Sequence, residues 1–236
     1  MVRGVAHRGD PVLYPENTLP AFEAAVRKSY SHLELDVQLS KDGVPVICHD
    51  LSVNRTTDGT GRIKELTLAE LKKLRIRGEG EIPTLEEALT LLKDQIIVNI
   101  ELKQLGDYYP GLEQAALDVV RKLGMEEQVF FTSFDHYSVL RMREIDSEVE
   151  LGLISHGASP AFFPLMKEHN MRYLAVQYPF LTPSYIETCE QLGIQLIAWT
   201  VDDEEPMRRI RQYPSLLICT NQLDRWAAIH RHPVSQ

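Results

Sequence analysis

The sequence predicts an α/β protein, a (β/α)8 barrel of the TIM type with a small hairpin insertion after the second strand. Three observations predict it. Eight short apolar runs of strand length recur along the chain. Stretches of helical periodicity fit between them, the pattern of repeated βα units on a parallel sheet. The 236 residues suffice for one barrel with a single large core. Counting strands leaves a doubly wound open sheet as the structural alternative.

In order, strands are expected at 2–6, 32–39, 96–102, 129–133, 150–154, 173–177, 195–200 and 216–219. Helices are expected between them. One covers 20–26. One covers 84–89, with Thr84 as N-cap and Glu87 completing a capping box. One covers 182–192, opened by Thr182-Pro183 and closed before Gly193. Residues 44–49 form a ninth strand-like run with no helix before it. They follow Asp42-Gly43, a hairpin turn signal, so 34–51 reads as a hairpin extending the second barrel strand. Residues 50–83 then exceed an ordinary βα connection and contain one helix-like run, 67–74. They are expected as an elaborated loop over the barrel mouth, inside one domain covering 1–236.

Composition narrows the function. Hydrophobic residues are 44% and charged residues 25%, ordinary for a globular protein. No run approaches the ~20 apolar residues that span a bilayer. Met1 to His7 is too short and polar for a secretory signal, so a cytoplasmic location is expected. The balance of 25 basic against 34 acidic residues, net −9, repels nucleic acid and anionic lipid at long range. The expected partner is a small molecule, with no nucleic acid and no stable membrane insertion. Monomer and homodimer both remain open. Cys48, Cys189 and Cys219 form no CxxC pair and read as small buried hydrophobes.

The chemistry gathers at strand ends. Glu34 and Asp36 lie two apart in a strand and share a face, while Leu33, Leu35 and Val37 take the other. Pairing the hairpin about Asp42-Gly43 sets Asp36 opposite His49. Asn99, Glu101 and Lys103 share one face of the third barrel strand, with Ile100 and Leu102 opposite. Strand one runs into His7-Arg8-Gly9. The C-terminal ends of barrel strands are where such enzymes work. Three carboxylates are hard oxygen ligands that favour Mg2+, Ca2+ or Mn2+. Arg8 and Lys103 would supply positive charge around a phosphate, and two histidines would supply an acid and a base. Each feature alone has a plainer explanation: surface carboxylates, a structural histidine, or a Lys103–Glu101 ion pair. Together they mark a site, because buried like charges are costly without a cation.

These residues fall into an ordered set: Ala6-His7-Arg8-Gly9, Pro15-Glu16-Asn17-Thr18, Ala21-Phe22, Glu34-Leu35-Asp36-Val37-Gln38, Lys41-Asp42-Gly43 and His49-Asp50. Arg55-Thr56-Thr57, Asn99-Ile100-Glu101-Leu102-Lys103 and Ala198-Trp199-Thr200-Val201 continue it. In this the chain resembles the glycerophosphodiester phosphodiesterase family, over nearly its whole length. The resemblance implies a TIM barrel using one divalent cation, usually Ca2+ or Mg2+. It implies Glu34, Asp36 and Glu101 as metal ligands and His7 and His49 as the acid/base pair. It implies Arg8 and Lys103 on the phosphate and Trp199 in the substrate pocket, with Glu16 and Asn17 as supporting residues or helix caps.

The implied reaction hydrolyses a glycerophosphodiester to glycerol 3-phosphate and an alcohol such as choline, within glycerol and lipid metabolism. Attack by the glycerol 2-hydroxyl through a cyclic phosphate and direct attack by water are both open. The last strand departs from the family's usual Gly-Ile-x-Thr-Asp-x-Pro, reading Leu217-Ile218-Cys219-Thr220-Asn221-Gln222-Leu223. Two rivals stand beside this reading. One is a lysophospholipase D acting on lysophospholipids, with a groove built from Tyr108-Tyr109, Phe162-Phe163 and Tyr178-Pro179-Phe180. The other is a non-catalytic phosphate-binding barrel.

Overall fold

The computed structural model describes residues 1–78 and 80–231. Residue 79, within the loop expected at 50–83, and residues 232–236, at the end of the expected domain, lie outside the described residues. The strands are β1 (Val2–His7), β2 (Tyr30–Leu39), β3 (Pro45–Ile47), β4 (Ile97–Leu102), β5 (Val129–Ser133), β6 (Leu151–Ser155), β7 (Tyr173–Gln177), β8 (Gln195–Trp199) and β9 (Leu217–Thr220). They run in the order β1-β9-β8-β7-β6-β5-β4-β2-β3, and β1 also pairs with β2. That last pairing closes eight parallel strands into a barrel and leaves β3 outside it, antiparallel to β2. Closure rules out the open sheet.

Helices α1 (Leu19–Arg27), α2 (Leu68–Leu71), α3 (Leu85–Leu92), α4 (Leu112–Leu123), α5 (His136–Ile145), α6 (Phe162–Glu168), α7 (Pro183–Gln191), α8 (Glu204–Ile210) and α9 (Leu223–Arg231) complete the described chain. All but α2 follow a barrel strand or the β3 insertion. Their starts follow local chemistry. The Thr84 hydroxyl accepts from the Glu87 N–H, and the Glu87 carboxylate accepts from the Thr84 N–H. Such a cap is worth about 1 kcal/mol. Thr182 caps α7 and Gly193, at φ +71°, turns the chain out of it. No helix among the described residues is long and apolar enough to cross a membrane.

Strand alternation divides the core in two. Leu33, Leu35, Val37, Ile100 and Leu102 face outward and are buried with helix residues such as Phe22, Leu89 and Leu117. Val5, Phe130, Ile154, Tyr173, Ala175, Ile197, Leu217 and Cys219 fill the barrel interior. Deep inside, the rings of Phe130 and Tyr173 stack with centroids 3.7 Å apart. Gly152 lies on β6 between their strands. A Cβ there would come within 2.6 Å of Tyr173, so the missing side chain makes room for the stack.

The hairpin differs from expectation by one residue. The ladder pairs Val37 with Ile47, Gln38 with Val46 and Leu39 with Pro45. Asp36 therefore faces Cys48, whose N–H donates to the Asp36 carbonyl, and not His49. The turn is wider than a two-residue Asp-Gly turn because Ser40 Oγ bonds both Asp42 Oδ1 and the Val44 N–H. Asp42 Oδ1 also accepts from the Leu68 N–H at the start of α2. After β3 the chain builds its own small core from Val46, Cys48, Val53, Ile63, Leu71, Ile76 and Ile82. The helix-like run 67–74 shortens to α2, because Asp58 and Arg75 draw the following backbone into mutual hydrogen bonds.

Candidate active site

Neighbouring strands set the site. The register of β1, β2 and β4 places His7 beside Glu34, Glu34 beside Asn99, and Asp36 beside Glu101. One ligand oxygen from each of Glu34, Asp36 and Glu101 lies within 4.8 Å of the others. These side chains belong to residues only 3%, 1% and 9% exposed. Three carboxylates buried this closely require compensation.

Part of it comes from the first βα loop. Arg8 and Asn17 both hold left-handed backbones, at φ +58°, and the Asn17 N–H donates to the Arg8 carbonyl. Non-glycine residues adopt this conformation at a cost of roughly 1 kcal/mol. Here it turns the Arg8 N–H onto Glu34 Oε2 at 2.9 Å and the Asn17 amide onto Asp36 Oδ2 at 2.7 Å. Gly9 follows at φ +85°, where a Cβ would meet the Ala21 backbone at 2.7 Å. The Arg8 guanidinium lies 3.3 Å from Asp36 Oδ2 and 3.0 Å from Glu16 Oε1. Lys103 Nζ lies 2.7 Å from Glu101 Oε1 and 3.5 Å from Asp36 Oδ1. Asn17 thus bonds Asp36, and Glu16 pairs with Arg8. Neither caps α1, which begins after Thr18 without a side-chain cap.

The charges remain uneven. Burial, then the charges of Asp36 and Glu101, push the Glu34 carboxyl well above the usual range. Burial also raises Glu101, against the pull of Lys103. Burial opposes ionisation of Asp36 too, yet Lys103, Arg8 and His49 hold it below the ordinary value. Lys103, despite burial, is pushed up to about 12 by Glu101 and Asp36. Glu34 Oε1 and Asp36 Oδ1 are buried without a hydrogen-bond partner. Orphaned anionic oxygens in an all-oxygen donor set fit a hard divalent cation.

The histidines are held differently. His7 Nδ1 bonds Asn221 Oδ1 at 2.8 Å, and its Nε2 lies 3.9 Å from Glu34 Oε2. Burial, reinforced by the Arg8 charge, lowers the His7 pKa to about 4. His49 leaves the β3 ladder and reaches the cavity from the loop, where Nδ1 meets Asp50 Oδ1 at 2.8 Å. Asp50 is gripped by Arg55 at 2.7 and 3.0 Å, and the same guanidinium donates to both Glu16 oxygens. Arg55 holds the Asp50 carboxyl well below its ordinary value. Cys48, beside His49, turns into the insertion core, and burial pushes its thiol up to about 12.

A cavity of about 300 Å³ opens over this cluster. His7, Arg8, Glu34, His49, Glu101 and Trp199 line it. Asp36, Lys103, Glu16 and Asn17 do not; they connect to it through their ion pairs and hydrogen bonds. The far wall is aromatic. The rings of Phe134, His156 and Trp199 lie 5.1–5.4 Å apart, centre to centre. Phe134, His156 and Asp202 carry no signal of their own in the sequence, and Asn221, which pairs with Asp202 behind His7, shows there only as a departure from the last-strand motif. Inward parity extended one step past each strand finds most of them: Thr132 to Phe134, Ile154 to His156, Cys219 to Asn221. None of the six aromatics expected to form an apolar groove lines the cavity. Tyr109 is buried and donates its hydroxyl to Gln38.

Comparisons with known proteins agree with this geometry. The model of the glycerophosphoryl diester phosphodiesterase family matches residues 7–225. A glycerophosphodiester phosphodiesterase of Caldanaerobacter subterraneus subsp. tengcongensis is 37% identical over 215 residues, covering 87% of this chain and 88% of that protein. Glycerophosphodiester phosphodiesterase 1 of Bos taurus is 31% identical, over 85% of this chain and 72% of that one. An Oleispira antarctica phosphodiesterase solved in complex with the product sn-glycerol-3-phosphate superposes with a TM-score of 0.90, at 26% identity and 96% coverage of both chains. With the closed barrel and the family model running from the first cavity histidine into the start of α9, the chain belongs to the glycerophosphoryl diester phosphodiesterase family and is a phosphoric diester hydrolase.

Proposed function

We propose that this enzyme hydrolyses glycerophosphodiesters to glycerol 3-phosphate and an alcohol, using one divalent cation held by Glu34, Asp36 and Glu101. The observation that carries the reading is the buried carboxylate trio with two orphaned oxygens, set beside His7 and Arg8 at the cavity floor. Mg2+ and Ca2+ suit these oxygen donors, with Mn2+ next. When bound, the cation neutralises charge on a phosphoryl oxygen. Arg8, shared with Glu16, and Lys103 offset only part of the trio's charge, so a dication would complete the compensation.

The chain's own groups do the rest. Arg8, on the cavity wall, donates to the phosphate, and Lys103 adds its charge from behind Glu101. Trp199 gives an apolar face for substrate carbons. Of the two histidines, one takes the proton of the attacking hydroxyl, from the glycerol or from water. The other gives a proton to the departing alcohol oxygen as its bond to phosphorus breaks. The product complex of the Oleispira antarctica relative supports this substrate class. We assign the reaction to the cytoplasm, where free buried cysteines suit a reducing compartment.

The test is release of the alcohol in EDTA, Mg2+ or Ca2+, accompanied by glycerol 3-phosphate when the substrate is glycerophosphocholine or glycerophosphoethanolamine and by lysophosphatidate when it is lysophosphatidylcholine. Metal-dependent release from the first two is expected. Turnover of the lysophospholipid alone would move the substrate to the lysophospholipase D class, and full activity in EDTA would overturn the metal requirement.

A further inference from the structure

The His7–Asn221 contact continues into a third residue. Asn221 Nδ2 lies 2.7 Å from Asp202 Oδ2, and the Asn221 main-chain N–H lies 2.8 Å from Asp202 Oδ1. Thr220 Oγ1 also donates to Asp202 Oδ1, at 3.0 Å. The Arg225 guanidinium reaches the Asp202 carbonyl from α9. Asp202 is therefore fixed between the β8–α8 loop and the end of β9.

The chemistry of these groups removes an ambiguity. A carboxylate only accepts, so Asp202 takes the NH2 end of the Asn221 amide. The amide oxygen then faces His7 Nδ1, and an amide oxygen also only accepts. Nδ1 must carry the hydrogen. In a neutral imidazole the other nitrogen, Nε2, then holds the lone pair. Nε2 is the atom near Glu34, at 3.9 Å, and His7 lines the cavity.

We propose that Asn221, oriented by Asp202, locks His7 in the Nδ1–H tautomer and so presents the Nε2 lone pair to the reacting hydroxyl. This rests on the reading of His7 as an acid/base group, and it assigns His7 the base role in the first step, which leaves His49 as the acid. Asn221 and Asp202 are positioning residues. They act as the orienting carboxylate of a catalytic triad acts, with an amide inserted between carboxylate and imidazole.

The experiment is nitrogen NMR of enzyme labelled with 15N-histidine, with the His7 signals identified by their loss in His7→Gln. Ring-nitrogen shifts report directly which nitrogen is protonated. The variants are Asp202→Asn, nearly isosteric, which frees the Asn221 amide to rotate, and Asn221→Ala, which deletes it. In the wild type, His7 is expected as Nδ1–H. In both variants the Nε2–H form is expected to grow. Alongside it, kcat is expected to fall about 10-fold or more, with KM and the metal-induced thermal shift nearly unchanged. A wild-type ring protonated on Nε2, or an Nδ1–H ring that persists in both variants, overturns the lock. A wild type with the expected ring, lost in both variants, but no turnover of any glycerophosphodiester sinks the proposed reaction and leaves the lock standing.

Discussion

Replacing Glu34 by glutamine separates the cost of the carboxylate trio from its use. The amide oxygen of the introduced side chain can still accept the Arg8 N–H, so the fold loses no hydrogen bond at that atom. The substitution removes the carboxyl whose ionisation burial and the Asp36 charge make most costly, the one they push well above its ordinary value. Without metal, the variant should therefore melt no lower than the wild type. With metal the order should invert. A cation at 100 times its Kd stabilises the wild type by about 2.7 kcal/mol, or about 5–10 °C for a chain of this size. Loss of a ligand carboxylate should weaken binding at least about 100-fold, since losing even an outer partner of a metal ligand costs roughly 10–100-fold. At the same metal concentration the variant then gains only about 0.4 kcal/mol, or roughly 1–2 °C. The assay is differential scanning calorimetry of both proteins in EDTA and in Mg2+ or Ca2+. A raised native pKa also means that the metal-free native state binds a proton the unfolded chain has released. Wild-type stability in EDTA should thus fall, relative to Glu34→Gln, as pH rises above the ordinary carboxylate range. A variant that keeps the full metal shift, or that melts far below wild type in EDTA, would refute the ligand assignment.

His7→Ala and His49→Ala should each lower kcat by about 10² or more while the metal-induced shift persists, and near-normal turnover in either would remove that histidine from the chemistry. Arg55→Met should release Asp50 and Glu16, lowering kcat about 10-fold with metal affinity within a few-fold; unchanged kinetics would show that His49 needs no such anchor. Gly9→Ala should destabilise the fold by roughly 2 kcal/mol or more in urea titration, because the backbone is left-handed and the Ala21 carbonyl is in the way; an unaffected midpoint would contradict the packing. Burial lowers the pKa of His32, inside the barrel, to about 4. Stability from its neutral ring is present above about pH 6.5 and lost as pH falls toward 4, by up to roughly 3 kcal/mol. His32→Phe should flatten that part of the urea-midpoint profile, and an unchanged slope between about pH 7 and 4.5 would argue against it.

Strand periodicity makes the carboxylates legible. Glu34, Asp36, Glu101 and Lys103 alternate with leucines, isoleucines and valines that could only face the helices, so their shared inward face follows from spacing. His49 is in the site for a different geometric reason than the spacing suggests. A ladder position opposite Asp36 assumes a two-residue turn, whereas Ser40 and Asp42 side chains widen the turn and shift the register by one. It reaches the cavity because the chain leaves the ladder at Cys48, which no alternation predicts. Trp199 closes β8, but Phe134, His156 and Asn221 sit one residue beyond strand ends and Asp202 three beyond, where periodicity stops and loops decide direction. Glu16 and Arg55 are joined across 39 residues by hydrogen bonds that only the folded insertion creates.

The Phe130–Tyr173 stack across Gly152 gives the barrel a solid base, so its interior behaves as a well and not as a tunnel. Traffic through a well is ordered. Both products must leave by the opening through which the substrate entered, and the fragment lodged deeper waits for the shallower one. Release should then be ordered, with the deeper fragment leaving second and acting as the competitive product inhibitor in product-inhibition kinetics. A variant that pierced the base, by trimming both rings, would let water in behind that fragment and blur the order of departure.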